Sequence, residues 1–271
     1  MIKFMVHLLA MLIPNKAARR AVRNKLLAFE KRKEARKNDI YRKMSLVHNG
    51  DIWSLPSGIR FYLPYYPWEA IQQTIVNNCE FYEQKVLDSI KAYIPQGAVI
   101  LDIGANIGNH SVFFAAICGA RKVYAFEPVQ ETYRMLVKNI EINGFEKIID
   151  ARNIGLGDKR TKGEISAQYA DNIGATSIKE ASGGGGHSMR IERLDDLDLS
   201  GDKIDFCKID AEGFELKALA GMKNMLHTHR PVVFVESFGA NALEIKKLFH
   251  EMGYAEPIYY DADNWLFVPN K

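Results

Sequence analysis

Asp102, Gly104, Gly108 and Glu127 have the types and spacing of a nucleoside-binding turn. Residues 99–103 form an apolar run carrying one acid. Gly104-Ala-Asn-Ile-Gly108 is a turn, and Glu127 follows 19 residues after Gly108, between Phe126 and Pro128. The stretch reads as a strand, a loop that cradles a ligand and the start of a helix; a second strand then ends in a carboxylate able to hold ribose hydroxyls. The glycines narrow the ligand. A dinucleotide site needs three, in G-x-G-x-x-G, so that backbone and a helix N-terminus approach a pyrophosphate; this turn has two. Asp102 repels phosphate and suits an ammonium group, so the pattern favours S-adenosylmethionine over NAD. The competing reading is the βα turn of any α/β protein, and Glu127 at the expected offset weighs against it.

The elements that must position these residues alternate as a doubly wound α/β sheet requires. Helices are expected at 80–94, 111–120, 130–142, 214–225 and 242–252, the third stopped by Asn143-Gly144. Strands are expected from 99 and at 122–126, 148–156, 204–209, 231–236, 254–260 and 265–268. Residues 165–191 read as an inserted hairpin with the Gly-rich 182–187 at its tip. Ligands of an open α/β sheet sit beyond the carboxyl ends of its strands. Asp102, Glu127, Asp158, Asp210 and Glu236 fall at such ends, Asp158 where it would meet an adenine amino group.

Five blocks extend the match: 101–109, 125–128, Lys138-Asn-Ile-Glu-Ile-Asn-Gly144, Arg193-Leu-Asp-Asp-Leu197 and Lys208-Ile-Asp-Ala-Glu-Gly-Phe-Glu215. In these, over residues 77–268, the chain resembles the FkbM family of S-adenosylmethionine-dependent O-methyltransferases. The resemblance implies a class I methyltransferase (Rossmann-like) fold, a seven-stranded sheet with its last strand antiparallel. Ala211 stands where the family often has Val, and 182–187 is a local variation. The candidate cofactor-binding residues are then Asp102, Gly104, Ala105, Asn106, Gly108, Asn109, Glu127, Pro128, Asp158 and Asp210.

The fourth strand separates reaction classes. Methyltransferases acting on base amino groups carry Asn/Asp-Pro-Pro-aromatic there, whereas this chain has Asp210-Ala-Glu-Gly213. An alcohol is a poor nucleophile at neutral pH until its proton begins to leave, so transfer to a hydroxyl needs a proton acceptor. Asp210 or Glu212 is the expected base, with His110 next. The bland alternatives are that Asp210 orients the donor's methionine end, Glu212 caps the following helix and His110 packs. Asp210, Glu212 and Glu236 could also ligate Mg²⁺ or Ca²⁺ through oxygen, but carboxylates at adjacent strand ends arise without metal, and the reading adopted has none.

Composition and charge set the rest. Among 271 residues the net charge is +3. Residues 1–43 hold 13 Lys/Arg against three acids, a net of +10, and the remainder is net −7. The chain divides into a basic amphipathic extension (1–43), an aromatic-rich cover (44–76) and the catalytic domain (77–271). The first 13 residues are too short to cross a bilayer as a helix, no cleavage site follows, and the basic segment could lie on an anionic membrane or pack on a domain or subunit. The cover, with Trp53, Phe61, Tyr62, Tyr65, Tyr66 and Trp68, is expected to form short strands and turns, as an acceptor lid or a cap on the sheet's open edge. Three scattered cysteines read as reduced core thiols of a cytosolic protein. The activity expected is methylation of a sugar hydroxyl on a surface polysaccharide or its precursor. A non-catalytic adenosine-binding protein, and a nucleic-acid methyltransferase using the basic arm, are the rivals. A glycan partner, peripheral membrane contact and an oligomer are compatible with the sequence; nucleic acid is disfavoured.

Overall fold

The computed structural model describes residues 49–169, 172–181, 188–237, 239–260 and 263–270. The basic arm and the Gly-rich 182–187 lie outside the described residues. A hairpin of β1 (Ile52–Ser54) and β2 (Arg60–Tyr62) and two helices, α1 (Ala70–Asn78) and α2 (Gln84–Ile90), lead into β3 (Val99–Ile103). Then follow α3 (Asn109–Ala116), β4 (Lys122–Phe126), α4 (Gln130–Asn143) and β5 (Ile149–Arg152). A second sheet is built from β6 (Gly155–Leu156), β7 (Thr161–Tyr169), β8 (Asn172–Glu180) and β9 (Met189–Glu192). The chain returns through β10 (Phe206–Ile209), α5 (Glu215–Ala220), α6 (Lys223–His229), β11 (Val232–Glu236), α7 (Ala240–Glu251), β12 (Ile258–Tyr259) and β13 (Asn264–Phe267).

The main sheet has seven strands in the order β12-β13-β11-β10-β3-β4-β5, with β13 antiparallel to both neighbours. Its strands are continuous apolar runs because both faces are covered. Ile100, Val123, Phe206 and Phe234 face a core shared with Phe113, Phe114 and Leu136, whereas Leu101, Tyr124, Cys207 and Val233 face one shared with Leu219, Leu226, Ile245 and Phe249. All three cysteines are buried and free.

The aromatic segment is part of the first core, not a cap on the sheet's edge. Trp53, Phe61, Leu63 and Ile75 pack with Phe81, Phe113 and Phe114, and α1 is a helix where only strands and turns were expected, started by Glu69, whose Oε2 accepts from Gln72 N. Side-chain hydrogen bonds from α4 hold the segment: Asn143 Oδ1 accepts from Arg60 N (2.9 Å), and Asn139 accepts from Tyr62 N while donating to Ile107 O (2.8 Å).

Three other expectations change. The run 148–156 is divided: β5 stays in the main sheet, and β6 pairs with β9 in the second. β7 and β8 pair antiparallel up to Tyr169 and Asn172, and the Gly-rich 182–187 comes only after Glu180 ends β8, so the glycines are not the tip of that hairpin. The helix over 214–225 is broken at Gly221, whose Cβ, if present, would sit 1.9 Å from Gly157 O. Asp195 restarts it as α6 by accepting from Asn224 N and Met225 N, each at 3.0 Å.

Candidate active site

The loop after β3 is held at the carboxyl edge of the sheet by its own backbone. Gly104 N and Ala105 N both donate to Phe126 O at 3.0 Å, so the turn leans onto the end of β4. Gly104 has φ 74°, and a Cβ there would lie 1.7 Å from Asp210 O; only glycine lets the loop approach the end of β10 this closely. Asn106 is also left-handed, at φ 51°, a costly conformation that its backbone bond to Glu127 helps hold.

Beside this loop opens a cleft between the carboxyl edge of the main sheet and the second sheet. Gly104, Asn106, Glu127 and Pro128 line one side and Asp210, Ala211 and Glu212 another. Leu156, Ile178, Val129 and Phe214 add apolar walls. Glu127 is buried: Oε2 accepts from Asn106 N (2.8 Å), and Oε1 accepts from Val129 N (2.9 Å) and Thr132 Oγ1 (2.8 Å). Burial pushes its pKa upward, and these hydrogen bonds act against that. Of about four acceptor positions on a carboxylate, one remains for a ligand.

Beneath the loop lies a cation that sequence reasoning left without a role. Lys208 is 2 % exposed in the middle of β10. Its Nζ donates to Gly104 O (2.8 Å) and pairs with Asp210 Oδ2 (3.2 Å) and Asp102 Oδ1 (3.5 Å). Burial opposes its charge, and Asp210 and Asp102 outweigh burial, so the ammonium stays protonated. The legible signal was a lysine inside an otherwise apolar strand run, which needs a buried partner.

Glu212 sits on the cleft wall with φ 48°. It does not cap α5, which has no side-chain cap; Glu215 instead braces the preceding turn, its Oε1 accepting from Ala211 N (3.2 Å) and Gly213 N (2.8 Å) and so fixing the turn that presents Glu212. Burial first, then the charges of Asp210 and Glu215, push the Glu212 pKa up to about 7. His110 is 8 % exposed and its pKa is lowered to about 3, by burial and then by Lys208, so the imidazole is neutral. It lies near Asp210 but outside the cleft lining.

Several expected residues serve the site from behind. Asp102 is fully buried, accepts from Ser111 Oγ (2.6 Å) and holds Lys208 rather than facing the cleft. Asn109 clamps Tyr82, accepting from its N (2.9 Å) and donating to its O (3.0 Å). Ala105 is buried in the turn, and Gly108 leaves space for Leu136. Asp158 is exposed on the turn after β6 and does not line the cleft, because the chain has left the main sheet before reaching it. Its place there is taken by Leu156, Thr176 and Ile178 of the second sheet, whose contribution depends on a strand pairing that spacing does not reveal. Among the described residues, no group of three or more His, Cys, Asp or Glu is arranged to hold a metal ion.

Six strands in parallel, one antiparallel strand between the last two, and a carboxylate-ended cleft at the point where strand order reverses define a class I methyltransferase fold. Residues 102–255, more than half the chain, match the methyltransferase FkbM domain, and the chain belongs to that family of S-adenosylmethionine-dependent methyltransferases. It is 30% identical over 172 residues to the hexuronic acid methyltransferase AglP of Haloferax volcanii, an alignment covering 62% of this chain and 68% of that protein. It is 25% identical over 198 residues to the methyltransferase sdnD of Sordaria araneosa, covering 60% and 76%. The crystal structure of the FkbM methyltransferase of Methylobacillus flagellatus superposes with a TM-score of 0.48 at 16% identity, over 74% of this chain and 56% of that one.

Proposed function

We propose that the chain transfers a methyl group from S-adenosylmethionine to a sugar hydroxyl, with Glu212 as the proton acceptor. The observation that carries this reading is a carboxylate on the cleft wall whose pKa is about 7, the value at which a base is both ionised and effective near neutral pH. The cleft suits the donor. Glu127 would hold the ribose with its remaining acceptor position, Leu156, Ile178, Val129 and Phe214 would flank the adenine, and Asp210, kept in place by Lys208, would face the ammonium of the methionine end. The bound donor supplies an electrophilic methyl group on a sulfonium. The chain's own work is to aim the acceptor hydroxyl along the sulfur–carbon axis and to draw its proton to Glu212, while the apolar walls keep water out. Positioning of that kind is worth about 7–11 kcal/mol of barrier.

A sugar acceptor is supported by the named substrate of the Haloferax relative and by the absence of an Asn/Asp-Pro-Pro-aromatic run at β10. The test is transfer of labelled methyl from the donor to glycans and to RNA, with the product's methyl ether located by mass spectrometry. Label on a sugar hydroxyl is expected; label on RNA alone overturns the reading. Donor binding with no transfer to any acceptor favours the non-catalytic alternative.

The basic arm carries a second part of the reading, from sequence alone. Its net charge of +10 beside a short apolar stretch suits reversible attachment to an anionic membrane face, where each facing Lys or Arg adds up to about 1 kcal/mol. Among the described residues no helix is long and apolar enough to cross a membrane. Removing residues 1–43 should abolish binding to phosphatidylserine vesicles at low salt, and intact protein that ignores them overturns the attachment.

A further inference from the structure

The wall beyond Asp210 carries more acid than proton transfer uses. Glu236 ends β11 one residue past the Ile209–Val235 pairing, so it stands beside Asp210 in the parallel register. Glu83 begins α2 with φ 57°. The clamp of Asn109 on Tyr82 sets this segment against α3, with Glu83 Oε2 3.7 Å from His110 Nε2. The crowding is visible in the acidities. Burial, then Asp210 and Glu83, raise Glu236 to about 8, and burial, then Glu83, Glu236 and Asp210, raise Tyr82 to about 12. The cation that acts on Glu212, Glu236 and His110 is Lys208, and it is already engaged by Gly104 O and by ion pairs with Asp210 and Asp102.

A second observation points to a ligand. His110 is more than nine-tenths buried, yet its Nε2 makes no hydrogen bond although it is turned toward Glu83. Buried polar atoms are nearly always satisfied, so this nitrogen awaits a partner. A neutral imidazole beside a carboxylate can accept from a hydroxyl or donate to it, with the carboxylate as a further acceptor; the pair offers an anion no counter-charge.

We propose that Glu83, His110 and Glu236 form the acceptor subsite, and that it admits an uncharged or amino sugar and refuses one bearing a carboxylate, in contrast to the hexuronic acid for which the Haloferax relative is named. The inference rests on the sugar reading above and names its substrate class. Vicinal hydroxyls donate to the carboxylates and to His110, while an acidic sugar brings like charge to a wall that already sheds its own by protonation.

The test uses the full-length protein with methyl-labelled donor and three matched probes: methyl glucoside, methyl glucosaminide and methyl glucuronide. Transfer to the first two is expected to exceed hydroxyl methylation of the glucuronide by about tenfold or more. Glu83→Gln should narrow that gap several-fold through the glucuronide KM, with donor affinity unchanged. A glucuronide methylated as well as the glucoside overturns the subsite and leaves sugar methylation standing. So does unaltered selectivity in both Glu83→Gln and Glu236→Gln when each remains folded and donor-binding. Transfer to none of the three, with donor bound, overturns the sugar reading and the subsite together.

Discussion

Replacing Lys208 by Met keeps the volume of the side chain's stem in the core and removes only the charge. The charge is what three groups are arranged around: Gly104 O at 2.8 Å, Asp210 Oδ2 at 3.2 Å and Asp102 Oδ1 at 3.5 Å. Asp102 is fully buried and would keep only Ser111 Oγ. Breaking a buried pair in this way costs about 3–5 kcal/mol, because an uncompensated charge is left behind. Asp210 is part-exposed on the cleft and can turn to water, so the lower end, about 3 kcal/mol, is expected. In a chain of this size that corresponds to a fall in Tm of about 6–12 °C. Urea unfolding followed by circular dichroism should show a lower midpoint with an unchanged slope. Adding Asp102→Asn removes the stranded charge, so the double variant should recover at least about 1 kcal/mol. Lys208→Met within about 0.5 kcal/mol of the parent, or a double variant less stable than the single, would falsify the account of Lys208 as the anchor of the loop.

Glu212→Gln should lower turnover by about 10²–10⁴-fold with donor affinity within a few-fold, and the parent's rate should climb as pH rises through about 7, a rise absent from the variant. Stability runs the other way. The folded Glu212 pKa lies above the unfolded value, so stability is full below about pH 4 and declines as pH rises through 7; Glu212→Gln should therefore gain about 1–2 kcal/mol relative to the parent at pH 8, after discounting for partial exposure. Calorimetry on Glu127→Ala should find donor affinity reduced about 10–100-fold, together with a stability loss of about 1–3 kcal/mol from the three donors it leaves unmet; unchanged affinity in folded protein would remove Glu127 from the donor site. Gly104→Ala and Gly144→Ala separate clash from backbone strain. Both glycines have positive φ, but only the first would drive its Cβ into Asp210 O, so Gly144→Ala should cost about 1–2 kcal/mol and Gly104→Ala should also abolish donor binding.

What the chain order alone determined is whatever local physics dictates. Period and breakers placed β4 at 122–126 and ended α4 at Gly144, which takes the left-handed cap at φ 72°. The turn at Gly104 and Glu127 at its offset were legible because strand, loop and acid are consecutive, and all three meet in the cleft. The family blocks were legible as strings without their reasons. Asn139 bridges the loop to the β1–β2 hairpin, Asp195 starts α6, and Glu215 holds the turn under Glu212. Those reasons join residues remote in sequence or placed by a turn's exact backbone path, and only tertiary structure decides them. The same holds for Lys208, whose identity as an anchor depends on Gly104 lying 104 positions away. It holds for Asp158, displaced because β6 pairs with β9 instead of extending β5. The aromatic segment had enough apolar surface to be a lid or a core element, and spacing could not choose between them. The choice was made by packing: Phe61 and Phe81 meet edge to face, as do Phe81 and Phe113, so the segment buries its rings in the core that α3 shares with the sheet.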